Sequence, residues 1–166
     1  MENVKAIKAA MAGLVGLLTG LWGWMGWLVI GWIGCMILDY ISGTAAAARA
    51  GAWSSARARD GIWHKTGMIL VVVAAAVADL ALKLVLGHLP LVELPFEYAG
   101  FICPVVLIWY IITELGSILE NAVKMGAPVP EWLVKLLKAS LHMVDGAGES
   151  AADIDVDKDT DTVKNE

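Results

Sequence analysis

The sequence predicts an all-α integral membrane protein: a bundle of four transmembrane helices, with three as the alternative, then a C-terminal amphipathic helix and a disordered acidic tail. Three observations carry this expectation. Of 166 residues, 58% are hydrophobic, and a mean hydropathy of +0.68 is too apolar for a water-soluble domain of this size. The apolar residues fall in runs long enough to cross a hydrocarbon core of about 30 Å as helices, the form in which a chain satisfies its own backbone in lipid. Finally, the acidic residues concentrate after Asp145, while the rest of the chain is near neutral.

From Ala9 to Leu38 no residue is charged, and beyond Asp39 the apolar run continues to Ala48. One helix of that length would reach ~60 Å, twice the hydrocarbon thickness. The middle reads Gly20-Leu-Trp-Gly-Trp-Met-Gly-Trp27, and clustered Trp is favoured at a membrane interface. A hairpin is therefore expected near Trp22–Gly26, between a first span at about 7–21 and a second at about 27–48. Arg49, Arg57, Arg59 and Lys65 stand against one Asp60, so the stretch from Arg49 to Lys65 reads as a polar loop on the cytoplasmic side. A third span follows at about 66–86. The segment Gly87–Glu97 holds Pro90, Pro95, Glu93 and Glu97 but no Lys or Arg, which fits the outside. The fourth span, at about 98–119, returns inward to Lys124, Lys135 and Lys138. Both termini are then cytoplasmic. Residues 1–124 form the transmembrane part, 125–145 a cytoplasmic amphipathic helix and 146–166 the tail.

Within that tail Asp153-Ile-Asp-Val-Asp-Lys-Asp-Thr-Asp161 reads as a solvated acidic segment. In the amphipathic helix Trp132, Leu133, Leu136, Leu137 and Met143 share one side, and Glu131, Lys135, Lys138 and His142 the other. Such a helix suits the plane of the interface, or docking on its own protomer. Composition and motifs exclude several classes. There is no basic surface for nucleic acid, no paired metal ligands, no phosphate loop and no nucleophile elbow. Neither an enzyme nor a cofactor is expected, and Cys35 and Cys103 read as buried free thiols.

The informative residues are polar ones inside the spans, where they are costly and mark packing or function. In the fourth span Thr113, Glu114, Ser117, Glu120, Asn121 and Lys124 fall within an arc of about 120°, opposite Ile111, Leu115 and Ile118. The second span carries Asp39 and Ser42 on one stripe. Asp79 stands four residues before Lys83, at the spacing of an intrahelical pair. The candidate polar stripe is therefore Asp39, Ser42, Asp79, Glu114, Ser117, Glu120 and Asn121. It is open to three interpretations: interhelical packing, a water-lined lesion wall, or a proton or ion relay in a small transporter. Ala12, Gly16 and Gly20 form a small-residue ridge on the first span. With Gly43 on the second, they are candidates for close helix approach.

Those same residues resemble a known family. Asp39-Tyr-Ile-Ser-Gly-Thr44 is similar to the Asp-Tyr-x-Thr/Ser-Gly signature of the phage lysis and toxin-secretion holins. Ser54-Ser-Ala-Arg57, Gly61 and Lys65 resemble that family's Ser-Lys…Gly…Lys segment, with Arg57 where Lys is usual. Glu114-Leu-Gly-Ser117-Ile-Leu-Glu120-Asn121 and Gly126-Ala-Pro128-Val-Pro130 resemble its Asn-Glu-x-x-Ser-x-x-Glu-Asn…Gly-x-Pro-x-Pro stretch, with Thr113 replacing the common Asn. Asp79 matches an acid late in the preceding span. The resemblance covers roughly Trp27–Lys138. It implies a holin that assembles with itself in the host bacterial inner membrane and opens lesions for a cargo, an endolysin or a toxin. It also leaves room for an antiholin, either as a partner or as this chain's own role. The long first run and the acidic tail fall outside the resemblance.

Met1 and Met11 bracket Lys5 and Lys8, and in other holins a shorter product lacking N-terminal charge is the effector while the longer one inhibits. If Met11 is a second start, Met1→Leu will advance lysis of an induced culture and Met11→Leu will delay it. Identical turbidity traces for both alleles and the parent would eliminate the second start.

Overall fold

The computed structural model describes residues 2–88 and 100–152. They form five helices: α1 (Glu2–Trp22), α2 (Trp24–Arg49), α3 (Ser55–His88), α4 (Ile102–Lys124) and α5 (Glu131–Ala152). By length and composition α2, α3 and α4 are apolar enough to cross a membrane. At 1.5 Å per residue they measure ~39, ~51 and ~35 Å. The expected hairpin falls at Gly23 (φ 54), where α1 turns back to pack on α2.

Helix α4 is the centre of the arrangement and touches α2, α3 and α5, whereas α2 and α3 barely meet. The core is small: Trp32 and Met36 from α2, Met68, Val72 and Ala75 from α3, and Cys103 with the fully buried Leu107 from α4. Trp32 stacks on Tyr110, ring centroids 6.0 Å apart. Most large apolar side chains of α3, such as Leu70, Val73, Val77 and Leu80, face outward. Lipid is the medium in which such a surface costs nothing.

Where α2 and α4 end, the chain solves the same backbone problem twice. The last carbonyls of a helix have no intrahelical donor. In α2 the N–H of Gly51 reaches Ala48 O and that of Ala52 reaches Ala47 O; in α4 Gly126 reaches Val123 O and Ala127 reaches Ala122 O. Both are Schellman closures, which place one residue in the left-handed region. Gly51 (φ 64) and Gly126 (φ 90) supply it.

Two expectations change, and one left open is decided. The stretch Arg49–Lys65 is mostly helix, since α3 begins at Ser55 and only Ala50–Ser54 connects it to α2. Ser54 supplies the start: its Oγ accepts the Arg57 N–H at 3.3 Å, and the Ala and Arg residues that follow are good helix formers. Second, α5 runs seven residues past the boundary expected at Asp145, ending at Ala152. The remainder of the expected tail lies outside the described residues, as does most of the Gly87–Glu97 segment. Of the two placements expected for α5, in the plane of the interface or docked on its own protomer, it takes the second and lies along α4. Leu133, Leu137, Leu141 and Val144 are half-buried, while Trp132, Leu136 and Met143 remain exposed.

Asp79 is also reassigned. It is buried and, instead of the expected pairing with Lys83 along its own helix, its carboxylate accepts the N–H groups of Phe101 (3.1 Å), Ile102 (3.0 Å) and Cys103 (2.7 Å). The next residue, Pro104, has no N–H to satisfy. One side chain of α3 thus answers every donor left open at the start of α4, and its negative charge sits at the positive end of the helix dipole. Gly100 lets the two approach: its φ is +93, and a Cβ there would lie 3.3 Å from Asp79 Oδ2. Asp79→Ala should destabilise the protein by at least about 2 kcal/mol, the cost of a lost cap with buried donors left open. Unfolding in detergent, followed by far-UV circular dichroism, will measure it.

Candidate functional site

The polar residues expected on one stripe separate into three places. The largest group joins α2, α3 and α4. Glu114, 4% exposed, receives Lys65 Nζ on both oxygens, at 2.7 and 2.6 Å. The same ammonium lies 3.0 Å from Asp39 Oδ2. The other oxygen of Asp39 accepts Asn121 Nδ2 at 3.2 Å, and that amide also donates to Ser42 Oγ at 3.1 Å. Ser42 Oγ in turn donates to the Asp39 carbonyl at 3.0 Å. Asp39, Ser42, Glu114 and Asn121 are therefore one network, and the polar sides of α2 and α4 face each other across it.

Helical register builds this arrangement. Asp39 and Ser42 are three apart on α2, and Glu114 and Asn121 seven apart on α4, so each pair lies on one face. Gly43 lets the helices close: a Cβ there would stand 3.4 Å from Asn121 Nδ2. On α1 a Cβ at Gly16 or Gly20 would meet no atom within 4 Å.

Lys65 is the member that sequence reasoning placed elsewhere, in the polar loop. It is the last cation before thirteen uncharged residues, Thr66–Ala78. That position was a usable signal: a cation entering an apolar helix needs an acid from another helix. With both acids and the lysine ionised, the group carries one net negative charge. A buried pair holds together only while each charge keeps its partners.

Ser117 is half-buried beside this group. With Lys65, Trp109, Thr113 and Glu114 it lines an open cleft of about 570 Å³. A smaller cavity of about 160 Å³, walled by Tyr40, Thr44, Trp53 and Arg57, reaches Asp39 and Lys65 from the other side. The ion pair thus stands between two spaces large enough to hold water. Glu120 does not join it: exposed, it borders a groove between α4 and α5 with Lys124 and Lys138. Asp79 is fourteen residues from Lys65 along α3, about 21 Å away, where it caps α4.

Chemically the network holds charge and offers hydrogen bonds to water. Cys35 is half-buried and Cys103 buried, both as free thiols. Among the described residues no cluster of His, Cys, Asp or Glu could hold a metal ion.

Three comparisons bear on what this arrangement belongs to. The profile of a bacteriophage holin family matches residues 16–141. An uncharacterized protein of Halalkalibacterium halodurans is 32% identical over 111 residues, covering 67% of this chain and 73% of the relative. Uncharacterized proteins of Listeria monocytogenes and Listeria innocua are each 34% identical over 111 residues, covering 66% of this chain and 69% of theirs. No solved structure matches the chain.

Lys65→Met leaves two carboxylates facing each other without a cation, and should lower stability by about 3–5 kcal/mol, as when one partner of a buried pair is removed. Lys65→Met/Glu114→Leu should recover a substantial part, since only Asp39 is then left, with Asn121 to hydrogen-bond it. Denaturation of the purified variants in one detergent tests both. A double variant no more stable than Lys65→Met would show that the Glu114–Lys65 contact is not what holds α3 to α4.

Proposed function

This chain belongs to the bacteriophage holin family, and from that premise we propose that it is a holin of the host inner membrane. In this proposal it accumulates in the bilayer, assembles with copies of itself, and opens lesions that release an endolysin, or a toxin, for host lysis. Its partners are itself, the lipid bilayer, the released cargo and, where one is encoded, an antiholin. In this proposal the α2–α3 end, with Arg49, Arg57 and Arg59, faces the cytoplasm by the positive-inside rule. With α1 as an additional span, the count is four and the N-terminus is cytoplasmic; with α1 outside the hydrocarbon it is three.

The observation that carries the proposal is the network of Asp39, Lys65 and Glu114 inside three apolar helices. Packing alone would be served at lower cost by apolar residues. A charged cluster at membrane depth is useful to a protein whose helices exchange internal partners for water. In the dispersed chain Lys65 satisfies both acids. On assembly the polar faces of α2 and α4 separate and face a lumen, and the Leu and Ile faces go to lipid and neighbouring copies. That is a two-state rearrangement, biased by whatever lowers the cost of hydrating these groups.

Timed induction together with a cytoplasmic endolysin tests this. The expected result is normal growth, then an abrupt loss of membrane potential and turbidity at a reproducible time. Glu114→Leu, which keeps the helix but removes the acid, should shift that time at unchanged protein level. Graded, substrate-dependent flux would instead identify a small transporter, and delay of another protein's lysis an antiholin.

A further inference from the structure

Helix α5 takes no part in the Asp39–Lys65–Glu114 network. Around its axis it has three faces. Leu133, Leu137, Leu141 and Val144 point at α4. Glu131, Lys135, Lys138, His142, Asp145 and Glu149 occupy a stripe about 80° wide, and all six are exposed. Trp132, Leu136 and Met143 form an exposed apolar strip on the remaining side.

What makes this informative is where α5 lies. Starting beside Lys124, it runs back along α4 until Asp145 Oδ1 accepts the Trp109 Nε1–H at 2.6 Å. Trp109 is fifteen residues from Lys124, about 22 Å up a helix of about 35 Å. His142, Asp145 and Glu149 share a cavity of about 560 Å³ with Val105, Val106 and Trp109, in the half of α4 remote from Lys124. Since α4 is long and apolar enough to span the bilayer, these ionisable groups stand at the depth of the hydrocarbon. Lipid cannot solvate them there. From Glu131 to Glu149 the charged stripe extends about 27 Å, close to the thickness of the hydrocarbon core.

We infer that α5, seated on α4, is a lesion-lining element: its Glu131–Glu149 stripe faces water in the assembled protein while Trp132, Leu136 and Met143 face lipid or a neighbouring copy. The inference rests on the holin proposal and adds to it a second polar surface, distinct from the Asp39–Lys65–Glu114 network. It also gives the Trp109–Asp145 bond a role, fastening the far end of α5 at depth.

The test uses the full chain, with Cys35 and Cys103 replaced by Ala, reconstituted into vesicles of phosphatidylethanolamine and phosphatidylglycerol that hold a fluorescent dye. Single cysteines at Leu136, Leu137, Lys138, His142 and Met143 carry a spin label, and only variants that release dye like the parent are read. Collision with a water-soluble nickel chelate, compared with oxygen, gives exposure and depth. In releasing vesicles positions 138 and 142 should favour the chelate several-fold over 136 and 143, position 137 should be shielded from both, and the depth of 142 should fall within the hydrocarbon. Labels at 138 and 142 reading interfacial depth, or equal chelate access all round the helix, would overturn the inference and leave the holin proposal standing. If the unaltered chain, Cys35 and Cys103 included, releases no dye, the holin proposal fails and the inference falls with it.

Discussion

One ammonium group between two carboxylates decides how these helices stand. Lys65 enters an apolar helix bundle and finds Glu114 on one side and Asp39 on the other. The helices it joins have little else to hold them, since the buried apolar core is a handful of residues and most large side chains face outward. In lipid an outward Leu gains nothing by turning inward, so association between spans depends on close packing and on polar groups with no other partner. The ion pair is such a group. Its energy is conditional: hydration of any one member removes the reason for all of them to stay.

The same scarcity of donors and acceptors governs the helix ends. Asp79 crosses from α3 to take the three N–H groups that open α4. Gly51 and Gly126 close α2 and α4 on their own backbone. Backbone groups that water would satisfy in a soluble protein are answered here by the protein itself. With both ends fixed and three neighbours, α4 is the member against which α2, α3 and α5 are positioned. Glu114 and Asn121 on one side and Trp109 on another then place the ion network and α5 relative to a single axis.

A bundle built this way is suited to rearrangement. Its apolar exterior is indifferent to whether it meets lipid or another copy. Its polar contacts are few, strong and replaceable by water, which cavities on both sides of the Asp39–Lys65 pair bring close. In the proposed function such a rearrangement opens the lesion, and in the role inferred for α5 its charged stripe is a second surface offered to water.

Local chemistry was legible from the sequence. The all-helical class, the long apolar helices, the turn at Gly23 and the sharing of a face by Glu114 and Asn121 follow from run length, hydrophobic period and residue type, which act within a turn or two of helix. Those same residues carried the family resemblance. Only the tertiary structure decided that Lys65 belongs with Glu114, that Asp79 serves α4 in place of Lys83, that Glu120 stays outside the network, and that α5 lies along a span. Each of these joins residues far apart in the chain, and which acid meets which donor depends on how whole helices rotate and slide against one another. No period or motif encodes that, because it depends on how the buried charges and backbone groups of separate helices find partners together in the assembled bundle.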